Sequence, residues 1–236
     1  MTKVVHPFAH RLGIIRDWKS RWFGLDKKYR DFLTGDLTVR KFLEKRLEYH
    51  YLAGIEIERN DKTLRVVVKT GRPGLVIGRS GEHLEKVRQE LTAEMKKRKV
   101  WNPKVELKID VEEVRTPETS APLIAFAVKE SIEKRMPFRR VLKQMVEKVM
   151  ANREVEGVRV RLSGRLNGAD MSRTEELKQG RVPLQTFRAD IDYATNKAHI
   201  PQGDIGIKVW IYRGEVFAAN EKSNQSAPSP APRSRR

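Results

Sequence analysis

Hydrophobic residues recur along this chain with two periods, and the points where the period changes predict an alternation of helices and strands. Spacings of three and four residues place side chains on one face of a helix, whereas strict alternation is typical of a strand. In the first half of the chain, the pattern predicts a helix that Asp36 caps and that runs to about Tyr51, a hairpin of strands at 55–59 and 64–69, a helix over about 84–95 and a strand at 105–109.

A glycine-containing loop, Gly78-Arg79-Ser80-Gly81, separates the hairpin from the long helix, and Pro73 opens a short helix or turn before it. Glycines let the backbone approach a sugar-phosphate strand, and the amides that open the next helix favour phosphate. Strand, short helix, GxxG loop, long helix and strand is the order of an RNA-binding KH domain. The additional helix and strand before this unit match its prokaryotic, type II variant. The alternative is a tight turn between two helices.

The second half of the chain predicts a separate domain. Ser120 and Pro122 open a helix that Pro137 ends, and Pro137 starts another that runs to about Asn152. A strand at 157–163, a short helix at 170–178 and strands at 185–193 and 205–212 follow. Two helices on a mainly antiparallel, three-stranded sheet form an α+β domain, so the predicted fold class is α+β throughout.

These elements predict five segments. They are a basic, aromatic N-terminal segment at 1–37, a type II KH domain at 38–112, a linker at 113–119, a C-terminal α+β domain at 120–218 and a tail at 219–236. The tail has too few hydrophobic residues to pack, so we expect it to be disordered.

The net charge of the chain predicts the kind of partner that it binds. The chain has 49 Lys and Arg against 31 Asp and Glu, a net charge of +18, and the cations are spread along its length. Such a balance predicts binding to a polyanion. No segment has the roughly 18 apolar residues that span a membrane, and no signal peptide precedes the first domain, so we expect a soluble, intracellular protein.

Metal, cofactor and thiol chemistry are not expected. The absence of cysteine excludes disulfides, zinc ribbons and thiol nucleophiles. His6 and His10 lie four residues apart but have no third ligand in the pattern, so we predict no metal site.

Candidate RNA-binding residues come from three regions. The N-terminal segment interleaves cations with aromatic rings, which suits phosphates and unpaired bases. The alternative there is that Trp18 and Trp22 form one buried face of a short helix. The strand at 157–163 places arginines on one face, and a flexible turn follows. The predicted set is Arg11, Lys19, Arg21, Gly78, Arg79, Ser80, Gly81, Arg159, Arg161 and Arg165.

A second cluster consists of Arg139, Arg140 and Lys143, on the outer first turns of the helix that begins at Phe138. Positive charge at a helix N-terminus opposes the helix dipole at a cost of about 0.3 to 1 kcal/mol, which a bound anion would relieve. The alternative is an ordinary solvated face.

Across nearly the whole chain, the sequence resembles the bacterial small-subunit ribosomal protein S-three family. The motifs that carry the resemblance are Val5-His6-Pro7, Arg11-Leu12-Gly13-Ile14, Arg72-Pro73-Gly74, Val76-Ile77-Gly78-Arg79, Phe138-Arg139-Arg140, Ser163-Gly164-Arg165-Leu166, Gly180-Arg181-Val182-Pro183-Leu184, Arg188-Ala189-Asp190-Ile191-Asp192-Tyr193 and Lys208-Val209-Trp210-Ile211. Ser80 stands where the family usually has lysine, which lowers the charge of the loop.

The resemblance implies a constituent of the head of the small subunit in cytoplasmic ribosomes. It also implies contacts with ribosomal RNA and with neighbouring head proteins. In that family, the positions of Arg139, Arg140 and Lys143 face incoming messenger RNA in its channel and assist the unwinding of its structure.

Two other classes of function compete with this one. The first is a free KH-domain regulator that binds RNA outside the ribosome. The second is a nuclease or a lysine-dependent lyase, against which the sequence has neither a P-loop nor an HExxH motif, and its carboxylates mostly alternate with lysines. We therefore predict a binding protein and not an enzyme.

Overall fold

The computed structural model of the protein describes residues 5–60, 62–98 and 105–217. Its regular elements are α1 (Pro7–His10), β1 (Ser20–Arg21), α2 (Asp26–Arg46), β2 (Leu52–Arg59), β3 (Thr63–Thr70), α3 (Pro73–Ile77), α4 (Glu82–Lys97), β4 (Glu106–Glu113), α5 (Ala121–Glu133), α6 (Phe138–Met150), β5 (Gly157–Gly164), β6 (Arg173–Gly180), β7 (Ala189–Ile200) and β8 (Gly203–Glu215). The predicted disordered tail lies outside the described residues.

The first domain is built on a mixed sheet of order β1-β2-β3-β4. Strands β2 and β3 form the predicted antiparallel hairpin, while β4 runs parallel to β3 and β1 parallel to β2. Its core joins the buried faces of α2 and α4 to β-branched residues of the sheet, such as Val66 and Val68. The order of elements is the one predicted for an N-terminal KH domain followed by a second α+β domain.

The prediction that Asp36 caps a helix is wrong. Helix α2 begins at Asp26, so it also crosses the predicted domain boundary at residue 37, and Asp36 lies buried in its interior. The Asp36 carboxylate accepts hydrogen bonds from the indole of Trp22 at 2.6 Å and from the guanidinium of Arg59 at 2.7 Å. A buried charge paired in this way is tolerated within a helix, and only the tertiary structure supplies these partners.

The second domain has helices α5 and α6 packed on an antiparallel sheet of order β6-β5-β8-β7. This sheet has four strands, not the predicted three. The segment predicted as a helix at 170–178 is mostly part of strand β6, which pairs with β5 from Gly157 opposite Gly180 to Gly164 opposite Arg173. Glu, Leu, Lys and Gln favour a helix locally, but the pairing with β5 overrides that preference.

The strand predicted at 185–193 begins later, at Ala189, and continues to Ile200. Residues 185–188 instead belong to the loop that leads into β7. Phe187 in this loop is therefore half exposed, whereas Ala189 in β7 is buried. The backbone of this loop binds Arg11 instead, because the carbonyls of Leu184 and Thr186 accept hydrogen bonds from its guanidinium.

The N-terminal segment packs on the face of the second sheet that α5 and α6 leave uncovered. The ring of His6 meets Tyr193 edge-on at 4.8 Å, and His10 stacks on Phe187 at 4.2 Å. The buried Trp210 belongs to the hydrophobic cluster on this face. Trp210 and Tyr212 of β8, on the sheet face opposite α5 and α6, are thus buried by other parts of the chain.

The two domains contact each other through α5 and the turn that follows α2. Lys129 of α5 is buried, forms an ion pair with Glu48 and lies 3.9 Å from Glu133. The hydroxyl of Tyr51 donates to the carboxylate of Glu130 at 3.2 Å, and the Tyr51 ring meets Phe126 at 4.8 Å. A buried lysine of the second domain therefore takes its counter-ion from the first.

Candidate nucleic-acid interface

The GxxG loop lies between two helices, and its backbone is packed against α4 at Gly78 but open at Gly81. Helix α3 ends at Ile77, Gly78 follows it, and Arg79, Ser80 and Gly81 form a 3-10 turn that leads into α4. Gly78 has φ 74° and ψ −172°, which a residue with a Cβ rarely adopts, and a Cβ there would lie 2.7 Å from that of His83. A Cβ at Gly81 would meet no atom within 4 Å.

A stacked pair of histidines supports the loop from behind. The Nδ1 of His83 donates to the carbonyl of Val76 at 2.9 Å, and its ring lies parallel to that of His50, with centroids 5.2 Å apart. Desolvation lowers the pKa of His50 first, and the neighbouring His83 and Arg46 lower it further. This packing joins the loop to the turn after α2 and favours the neutral imidazole of His50.

The predicted α6 cluster lies on the solvent face of its helix. Val141 and Leu142 are buried against the sheet, whereas Arg139, Arg140 and Lys143 are exposed. Arg139 makes a long ion pair with Glu175, with Nε and Oε2 3.6 Å apart, and its side chain stays 74% exposed. A groove of about 490 Å³ runs between α6 and β6, and Arg139 and Lys143 lie on its helical side.

The arginines of β5 and its turn have partners within the chain. Arg159 pairs with Glu176 at 2.6 Å and lies over the ring of Trp210. Arg165 donates to the carbonyls of Ala169 and Gln202 at 2.8 and 3.0 Å, so it shapes its own turn. Arg161 forms no ion pair with any described residue, and it stands beside Lys208 in the register of β8.

Of the predicted N-terminal cations, Arg21 and Lys19 are exposed and Arg11 is buried. Arg21 pairs with Asp17 at 2.8 Å and Glu58 at 3.1 Å, and the hydrogen bond to Asp17 raises the pKa of Arg21. The ammonium of Lys19 lies over the ring of Phe8, where desolvation and, secondarily, the nearby Arg40 lower the pKa of Lys19. The side chain as a whole remains exposed.

Arg11 differs from these cations, because it is fully buried. Its guanidinium donates to the carbonyl oxygens of Ala189, Thr186, Pro7, Leu184 and Pro183 at 2.6, 2.8, 3.0, 3.1 and 3.4 Å. Desolvation lowers the pKa of Arg11, and the carboxylate of Asp190 opposes that shift. With its donors used inside the protein, Arg11 cannot reach RNA, and its proposed role there is corrected to a structural one.

One alternative from the sequence can also be settled. Trp18 and Trp22 flank β1 and do not share a helix, so the interpretation of one buried helical face is wrong. Arg173, which the sequence analysis did not select, lies beside Arg139 because β6 is a strand and not the predicted helix. Among the described residues, no group of three or more His, Asp or Glu side chains could hold a metal ion.

None of the helices described by the structure is long and apolar enough to cross a membrane. The element order and the exposed cations define a two-domain protein whose first domain is of the KH type. Two family models agree with this division, because "KH domain" matches residues 38–119 and "Ribosomal protein S3, C-terminal domain" matches residues 128–211.

Similar curated proteins cover the whole length of the chain. Small ribosomal subunit protein uS3 of Pseudomonas aeruginosa (strain UCBPP-PA14) is 43% identical over 233 residues, which span 99% of this chain and 98% of that protein. The protein of the same name from Stutzerimonas stutzeri (strain A1501) is 42% identical over 231 residues, 98% of this chain and 97% of that protein. The chain therefore belongs to the uS3 family of small ribosomal subunit proteins. Proteins of this family are structural and not enzymatic, which confirms the prediction of a binding protein.

Proposed function

We propose that the protein is a constituent of the head of the small ribosomal subunit in the bacterial cytoplasm. There it binds ribosomal RNA and neighbouring ribosomal proteins. Its family membership and its net charge of +18 support this role. Neutralising six to ten phosphates would make RNA binding fall by about 10³ to 10⁵ between 50 and 200 mM salt.

The ribosomal RNA contacts include the GxxG loop. Arg79 and Ser80 are exposed in this loop, and the backbone amides of the first turn of α4 follow directly. Lys19, Arg21, Arg159, Arg161 and Arg165 remain in the proposed RNA-binding set, although most of them are held by partners within the chain. Arg11 leaves the set because of its burial.

The second part of the proposal is that Arg139, Arg140 and Lys143 contact messenger RNA as it enters the subunit and assist the unwinding of its hairpins. One observation carries this proposal. The three cations are exposed on one face of α6, and their only ion pair with a described residue is the long one from Arg139 to Glu175. Cations without strong internal partners are available to phosphates.

The test is the replacement of all three residues by alanine in reconstituted small subunits. We expect assembly to be preserved and the passage of a stable messenger hairpin to be slowed in a purified translation system. The matched control replaces Lys86, Lys96 and Lys97 of α4, which removes the same charge from a different exposed surface. Equal hairpin passage by the α6 variant and the unsubstituted protein would refute this role.

A sedimentation experiment tests the first part separately. We expect the full-length protein to sediment with small subunits in a sucrose gradient and to crosslink to ribosomal RNA. A protein that sediments apart from ribosomes would instead support a free KH-domain regulator.

A further inference from the structure

A single carboxylate lies between two arginines at the end of the groove between α6 and β6. One oxygen of Glu175 is 3.2 Å from Nε of Arg173, and the other is 3.6 Å from Nε of Arg139. Both guanidinium groups also lie over the ring of Phe138, at 5.5 Å for Arg173 and 5.7 Å for Arg139. Glu175 therefore bridges a helix and a strand across the aromatic ring that both arginines share.

The position of Arg173 follows from the strand in which it lies. Alternate residues of a strand share one face, so Arg173, Glu175 and Leu177 project on the same side of β6. Glu175 and Leu177 lie opposite Leu162 and Val160 of β5, which are buried in the core with residues of α5 and α6, so this side of β6 faces the helices. The Arg173 side chain is 48% exposed and thus remains accessible next to Arg139.

The bonds that hold these arginines are of a kind that phosphate can replace. Ion pairs between exposed side chains are weak, because water and salt screen them. A backbone phosphate of RNA also offers an arginine two negatively charged oxygens, and arginine binds it through paired N–H donors as it binds a carboxylate. An RNA phosphate that arrives at the groove would therefore compete directly with the Glu175 carboxylate.

We propose that Arg173 is a fourth cation of the surface formed by Arg139, Arg140 and Lys143, and that Glu175 is a positioning residue for it. The carboxylate holds Arg139 and Arg173 over Phe138 in the absence of RNA and is displaced when a phosphate binds. Glu175 thus keeps the arginines in place before RNA binds. Its competition with phosphate lowers the net affinity for RNA, so that a moving strand can be released. The inference rests on the function proposed for this surface.

The experiment compares two messenger RNAs bound to reconstituted small subunits. One carries a single-stranded 3′ extension long enough to reach this surface, and the other ends before it. The ratio of their dissociation constants isolates the contribution of the extension, because all other contacts are shared. The ratio is measured between 50 and 200 mM KCl for each variant.

Arg173→Ala is expected to lower the salt slope of the extension's affinity by about 0.7, the value for one phosphate contact on single-stranded RNA. Arg173→Lys keeps the charge and should retain that slope. Glu175→Gln keeps the shape but removes the competing charge, so it should tighten binding of the extension about twofold to fivefold at 50 mM KCl. Lys197→Ala, on the opposite edge strand β7, is the control and should change neither quantity.

The outcomes separate this inference from the function on which it rests. If the triple α6 variant loses affinity for the extension while Arg173→Ala keeps the full slope, Arg173 is not part of the surface and the inference fails alone. Weaker binding by Glu175→Gln would overturn the role of its carboxylate as a competitor of phosphate. If the triple variant itself binds the extension normally, the proposed function fails and the inference fails with it.

Discussion

The burial of Arg11 leads to a prediction that separates a structural role from RNA binding. In Arg11→Lys, the positive charge remains but the planar guanidinium is lost. The present side chain donates to five carbonyl oxygens, and three of these contacts are 3.0 Å or shorter. A lysine ammonium has three donors on one atom and cannot reach carbonyls on several sides of a planar group.

The expected loss of stability can be estimated from these contacts. A hydrogen bond to a charged group contributes about 1.5 to 3 kcal/mol, but bonds that share one side chain are not additive. Breaking a buried charged network typically costs about 3 to 5 kcal/mol, and we expect Arg11→Lys to fall in this range. Because native domains are stable by only about 5 to 15 kcal/mol, such a loss would be a large fraction of the stability of the C-terminal domain.

Urea unfolding of the full chain, followed by circular dichroism and tryptophan fluorescence, measures this loss. The control is Arg21→Ala, which removes an exposed cation from the same segment and should cost under about 1 kcal/mol. A cost under about 1 kcal/mol for Arg11→Lys, together with weakened RNA binding, would refute the structural role and restore the prediction made from the sequence.

Three further predictions concern other parts of the fold. Gly78→Ala should lower the free energy of unfolding by about 3 kcal/mol, because Gly78 has a φ of 74° and its added Cβ would contact the first turn of α4. Gly81→Ala has open space around it and should cost about 1 to 2 kcal/mol in the same urea assay. Equal costs for the two variants would contradict the geometry. Glu48→Ala leaves the buried Lys129 with one distant carboxylate and should cost about 1 to 3 kcal/mol, a loss that Lys129→Met in the same chain should largely reverse. The pKa of His50 is lowered in the folded protein, so the unfolded chain binds the proton more readily, and the free energy of unfolding should fall as the pH drops below 6.5. His50→Asn should reduce this dependence of the free energy of unfolding on pH. An unchanged pH dependence in urea titrations of the variant would contradict this prediction.

Much of the chain's architecture could be predicted from local patterns. The hairpin of β2 and β3, the GxxG loop and helix α4 all lie close to their predicted positions, because their periodicity and turn residues are local signals. The exposure of Arg139 could be predicted for the same reason, since the apolar stripe of α6 determines which side faces solvent.

The remaining features of the fold and of the candidate site depend on contacts between residues that are far apart in the sequence. Arg11 belongs to a segment that looks like an RNA-binding arm, yet four of the five carbonyls that it binds lie more than 170 positions away in the chain. Asp36 resembles a helix cap and is instead a buried acid paired with Arg59. No local pattern distinguishes a cation that will meet phosphate from one that will meet a carbonyl.

The same reason explains strand β6 and the surface around it. Residues 173–180 favour a helix by composition, and only pairing with β5 makes them a strand. That pairing places Arg173 and Glu175 beside Arg139, although 34 positions separate the two arginines. Local patterns of the sequence predicted most of the elements and the sign of their charge. The tertiary structure decided which charges neutralise one another, because ion pairing depends on distances that exist only in the folded chain.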